Sequence, residues 1–261
     1  MYMLNSLPFI PLKCSALRGV AGSKGLGLAM RSRPKVGFVL FTAPMVRSIL
    51  AGSKFQTRRK LKIQPLAQSS AKLTWGCRSQ GESRVVEMAD PETFMAFAAQ
   101  NSPYGQAGDL LQVKESAWLW CHKKADGLTV TGRPKWRYIP VGQHIVYSAE
   151  HPEKPLSCID TNPEHIWRLK VGRFLPRWAI RIVLELTDVC VQRVQSITKA
   201  DALAEGLVDL GVEGARWHWD QKATQGFETP EQAYRALWAR INGSDSWDAN
   251  DYVWVISFKR I

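Results

Sequence analysis

The chain has 261 residues, enough for one large domain with a real core. A hydrophobic fraction of 45% and eleven tryptophans exclude a disordered chain. No apolar run approaches the roughly 18 residues of a membrane helix, so no membrane partner is expected. The formal net charge of +12 is unevenly placed: residues 1–81 hold 14 Lys/Arg and no acid, and the rest hold 21 basic against 23 acidic residues. A cationic first third favours a polyanion, most often nucleic acid.

Residues 1–35 read as a basic leader, disordered, with six cations and no acid. An organelle-targeting peptide and an over-extended start share that composition. One folded domain is expected over 36–261. It opens with the short β-type run "VGFVLF" at 36–41. The stretch "APMVRSILAG" then reads as a helix, with Pro44 in its first turn and Gly52 closing it. Residues 64–107 form an insertion whose one expected helix is "DPETFMAFAAQ", capped by Asp90.

"AGDLLQVKESAWLW" alternates as a half-buried strand does. Residues 136–147 are expected to form a hairpin turning at Val141 and Gly142. The segment 178–194 carries the strongest β signal, with Ile180, Val183 or Leu184, Leu186, Val189, Val191 and Val194 as a wall. Two capped helices follow. Thr198, Asp201 and Gly206 punctuate the first; Thr229, Pro230 and Gln232 open the second, whose stripe is Ala233, Tyr234, Leu237, Trp238 and Ile241. A last strand covers 252–258. Many strands, few helices and no βαβ alternation argue for α+β built on a small barrel.

Cys14, Cys77, Cys121, Cys158 and Cys190 are odd in number and lack CxxC pairing, which fits reduced thiols in a cytoplasm. Cys77, Cys121, His122 and Cys158 match no zinc-finger spacing, so no metal and no cofactor is expected. No Ser-His-Asp order, Walker loop or HExxH motif is present.

The pattern Gly52-x-Lys54-x-x-Thr57-x-Arg59, followed by "GDLLQV", "TKADALAEG" and "VWVISFKRI", resembles the ASCH domain, a branch of the PUA-like β-barrel superfamily. The longer stretches "FTAPMVRSILAGSKFQTRR" and "WDANDYVWVISFKRI" are similar to the larger ASCH-like proteins of tailed phages and prophages. The likeness spans about 36–261. It implies a PUA-like small β-barrel with flanking helices and long insertions near 64–107 and 117–165. It also implies a cytoplasmic protein of a bacterium or phage-infected host that binds RNA or a modified nucleoside. Small bacterial members include amidohydrolases that deacetylate acetylcytidine nucleosides, and matching motif to motif implies Lys54, Thr57 and Glu205 as catalytic here. The insertions depart from those small enzymes and bear on the substrate. A phage accessory module that binds another protein is a third reading.

The chemistry of those residue types is coherent. A threonine hydroxyl needs a base, and a neutral Lys54 amine within hydrogen-bond reach would serve. Crowding by Arg58, Arg59 and Lys60 together with burial pushes Lys54 towards neutrality. A turn is expected at 54–57, because a straight strand would send the two side chains to opposite faces. Glu205 sits at a helix C-terminus, where the dipole disfavours its ionised form and suits it to donate a proton to a leaving amine. Arg47, Arg58, Arg59 and Lys60 are candidate ligand-binding cations, through phosphate or base contacts. Glu115 is a second acidic candidate, with a role as a neighbour's ion-pair partner as the alternative. Arg177 and Trp178 offer a cation beside an aromatic plane for stacking a base.

Overall fold

The computed structural model describes residues 33–69, 72–79, 82–88 and 90–261. The leader up to residue 32, Cys14 included, lies outside them. β1 (Val36–Leu40) precedes α1 (Ala43–Leu50), where Pro44 presets a helical φ and Gly52 at φ +77 turns the chain out. Then come β2 (Gln56–Lys60), β3 (Leu66–Ser69), β4 (Lys72–Ser79), β5 (Glu82–Met88) and α2 (Pro91–Gln100). Next are β6 (Leu110–Lys114), β7 (Ala117–Leu128), β8 (Pro134–Tyr147), β9 (His165–Lys170) and β10 (Val183–Arg193). The chain closes with α3 (Lys199–Ala204), β11 (Val208–Asp209), β12 (Trp217–His218), α4 (Pro230–Asn242) and β13 (Tyr252–Arg260).

The fold is α+β. Its central sheet runs in the order β1-β6-β10-β13-β2, with β1 parallel to β6 and the other pairs antiparallel. β1 and β2 are its edges, and no strand pairing joins them among the described residues. β13 is buried on both faces, which is why it reads as a nearly unbroken apolar run. Trp254, Ile256 and Phe258 pack with Val46 and Ile49 of α1 and Phe94 of α2. Val253 and Val255 pack the other way, against Ala202 of α3 and Ala233 and Trp238 of α4. β2 lies beside β13 with Thr57 opposite Ile256 and Arg58 opposite Val255, so those two faces set where its side chains go.

Several elements differ from the sequence expectation. The insertion at 64–107 holds a three-stranded antiparallel sheet, β3-β4-β5, besides the expected helix. The strand expected at 107–120 is two strands, divided at Glu115 and Ser116. Val141 and Gly142 do not turn a hairpin. β8 runs through them and pairs with β7, with the turn at 129–133. The register passes from Leu119↔Ile145 to Cys121↔Pro140, so Gly142 at φ +62 forms a bulge, a second use of the same backbone freedom. The strong β segment begins at Val183, because Arg177–Ala179 forms a 3₁₀ turn after Pro176. Ile241, expected on the apolar stripe of α4, is half exposed.

Candidate functional site

Three backbone segments meet at the outer edge of β2. The carbonyl of Ser48 at the end of α1 accepts from the N–H groups of Ser53 (2.9 Å) and Lys54 (3.1 Å). Phe55 N–H donates to Ala204 O at 3.0 Å, and Lys54 pairs with Glu205 in an antiparallel bridge. Gly206 follows at φ +89, and a Cβ there would stand 2.8 Å from Lys54 Cβ and 2.9 Å from Ser48 Cβ. Only glycine fits that crossing. Ser48 Oγ ties it down by donating to Gly206 O at 3.2 Å.

Lys54 is extended into β2 rather than coiled in the expected turn: it forms that bridge, and β2 begins two residues on. Its buried ammonium donates to Glu205 Oε2 at 2.6 Å, Glu205 O at 2.8 Å and Gln56 O at 2.9 Å. With three oxygens in range, each N–H bond of an ammonium at this position has an acceptor. Burial pushes its pKa below the ordinary lysine value; the Glu205 charge and hydrogen bond pull it back, and Arg59 adds to the depression.

Glu205 is the focus of the cluster. Its Oε1 accepts from the Arg58 backbone N–H, its Oε2 takes Lys54, and the Tyr234 hydroxyl of α4 hydrogen-bonds it as well. Tyr234 is buried, and burial followed by the Glu205 charge holds its phenol well above its usual pKa. Thr57 is buried one residue before Arg58. By strand alternation it shares a face with Arg59, whose Cζ lies 5.2 Å from the Phe41 ring centroid. Lys54 Nζ lies 5.5 Å from the same ring. Of the expected triad, the Lys54 amine and the Glu205 carboxylate are in direct contact, and Thr57 lines the same cavity as Glu205.

Thr57, Arg58, Glu205 and Tyr234 line a cavity of about 50 Å³, with Met45 and Leu237 among the apolar wall. That space holds a few waters or one carbonyl- or phosphate-sized group. Arg58 is the unusual member. Its side chain is wholly buried, and its Nη2 is 3.0 Å from Asp201 Oδ2, a charge contact without hydrogen-bond alignment. Nε, Nη1 and Nη2 find no hydrogen-bond partner. Burying donors in that state is costly. Asp201 is itself engaged by Gln56 Nε2 at 3.1 Å and by the capping box with Thr198. Burial works against its ionised form, yet Thr198 and the Arg58 charge outweigh that and lower its pKa.

The remaining candidates are dispersed. Arg47 is taken up by Asp220 (2.8 Å) and Ala149 O (3.0 Å). Arg59 donates to Leu40 O at 2.6 Å, and Lys60 pairs with Asp251 at 2.5 Å. Glu115 receives Arg181 through both oxygens, at 2.9 and 3.2 Å, so the ion-pair alternative describes it. Arg177 lies 5.8 Å from the Phe38 ring, while Trp178 is 42% exposed. The chain gave no sign of Tyr234 and Asp201 as site residues: one was part of an apolar stripe, the other half of a capping box. Among the described residues no His/Cys/Asp/Glu group is disposed to hold a metal, and no helix is long and apolar enough to cross a membrane. Compared with known proteins, the chain matches no family model, no curated protein and no solved structure.

Proposed function

We propose that the central sheet is a PUA-like barrel of the ASCH type and that the cavity beside β2 receives the polar end of a nucleoside, free or within RNA. The barrel reading is supported by Arg59, which reaches from one edge strand to the Leu40 carbonyl at the end of the other. The ligand reading rests on one observation: a buried guanidinium lining a cavity, in charge contact with Asp201 at 3.0 Å but making no aligned hydrogen bond. A base carbonyl, an acyl oxygen or a phosphate oxygen would supply an aligned acceptor. The cavity takes such a group alone, leaving the ring at the rim beside Met45 and Ile241. Titration calorimetry with cytidine, acetylcytidine and a short RNA tests this. Binding that Arg58→Met weakens at least roughly tenfold supports the reading; no heat with any of the three overturns it.

The Lys54–Glu205 contact, with Thr57 and Glu205 lining one cavity, supports a second reading, deacylation of an acetylcytidine-type nucleoside. Lys54 cannot take the Thr57 proton while all its N–H bonds are committed. Its own proton must first pass to Glu205 across the 2.6 Å contact. Neutral Lys54 then takes the Thr57 proton as Thr57 Oγ attacks the acyl carbon, and Glu205 protonates the departing amine; water frees the acyl group from Thr57. Turnover of acetylcytidine that disappears in Thr57→Ala while ligand affinity remains supports hydrolysis. Absence of turnover leaves binding as the activity.

A further inference from the structure

The β7–β8 hairpin is far longer than its own packing requires. β9 pairs with β7 only as far as His122↔His165, and beyond that point the hairpin continues as a two-stranded ribbon to Leu128↔Pro134. No residue from 122 to 148 is buried. At about 3.3 Å per residue the free part projects roughly 20 Å. A bare two-stranded ribbon in water is marginal at best, since it has no core to offset the cost of ordering its chain.

Its charge is one-sided. Residues 122–148 carry Lys123, Lys124, Arg133, Lys135 and Arg137 against a single acid, Asp126. Asp126 is shared by Lys135 (3.1 Å) and Arg137 (3.5 Å). Lys124 stands directly opposite Arg137 in the ladder, a like-charge pair that weakens the ribbon rather than holding it. Strand alternation places Lys124 and Arg137 on one face and Lys123 on the other. On that second face Lys123 lies 4.1 Å from the Trp136 ring, and Arg168 of β9 lies 4.6 Å from Tyr138. The two faces are cationic at the same level along the arm.

From this geometry we infer that the β7–β8 arm binds double-stranded DNA by entering its major groove. That groove, about 12 Å wide, admits a two-stranded β-ribbon, and phosphates line both of its walls. Cations on both ribbon faces meet both walls at once. A membrane or a flat protein surface would meet one side, or the tip alone. A-form RNA offers a major groove too deep and narrow for the ribbon. The contacts are to phosphates, so binding is salt-dependent and largely indifferent to sequence. This inference stands independently of the cavity and its ligand.

The test uses the full chain and a fluorescent 20-base-pair DNA duplex, with anisotropy followed at several salt concentrations. Lys124→Gln, Arg133→Gln and Arg137→Gln are combined in one variant whose thermal transition is checked against the parent. The expected result is an affinity loss of roughly tenfold or more near 0.1 M salt. The slope of log K against log salt should also flatten by about 2–3, since each phosphate contact contributes about 0.9. Affinity and slope unchanged in the triple variant overturn the inference. So does binding to an RNA duplex, to single strands or to anionic phosphatidylserine vesicles that is tighter than to duplex DNA and is lost in the triple variant. Arg58→Met, which alters the cavity, is expected to leave the DNA affinity as it is; a loss there as large as in the arm variant also overturns it.

Discussion

The Lys54 ammonium grips Glu205 twice, once through the carboxylate and once through the backbone carbonyl of the same residue. The second contact fixes the end of α3 as well as the charge. Replacing Lys54 with Met would leave a buried carboxylate without its counter-ion. The expected loss is about 3–5 kcal/mol, measured by urea unfolding. Adding Glu205→Gln to the same chain should recover part of that loss, because the double variant buries no unpaired charge.

Arg58 is expected to behave in the opposite sense. Its guanidinium makes no aligned hydrogen bond and its charge contact is to a partly exposed Asp201, so Arg58→Met should cost less than Lys54→Met, about 1 kcal/mol. Ligand affinity should nevertheless fall. A large destabilisation in the unfolding curve would mean that the Asp201 contact, rather than a ligand, accounts for the residue.

Gly206→Ala combines a left-handed φ with contacts under 3 Å to the side chains of Lys54 and Ser48. Gly52→Ala shares the φ penalty but meets nothing within 4 Å. Gly52→Ala should cost about 1–2 kcal/mol and leave the site working. Gly206→Ala should cost more and also displace Lys54, so that affinity and stability fall together.

Acid should loosen the segment before β9. Asp160 accepts from Trp120 Nε1 at 3.0 Å and pairs with His165 Nδ1 at 2.8 Å, and these bonds, Trp120 first, hold its pKa to about 2. The folded pKa lies below the unfolded value of 3.8, so the stabilisation is complete above that value and is lost as pH falls towards about 2. Stability of the parent chain should decline through that window, and Asp160→Asn should remove that part of the decline.

What the sequence revealed was local chemistry. Gly52, Pro44, Thr198 with Asp201, and Thr229 with Gln232 each act within a few residues, and the helices they delimit form where those signals fall. The two halves of the site, near 54 and near 205, came from motif likeness. Arg58 was legible as a cation but not as a buried one, because its surroundings come from α3 and α4 far along the chain. Tyr234 was hidden for the same reason: helical periodicity marks it as core and cannot say that its hydroxyl ends on Glu205. Gly142 shows the limit of turn signals, since φ above zero serves a bulge within a paired strand as readily as a reversal.

Among the described residues, β13 is the one sheet neighbour of β2 and separates it from β10. During synthesis, the segment bearing Thr57 and Arg58 therefore waits some two hundred residues for its hydrogen-bonding mate. A nascent chain that stops short of residues 252–260 lacks that strand, so the edge on which the hollow is built stays without its sheet partner until those residues are made.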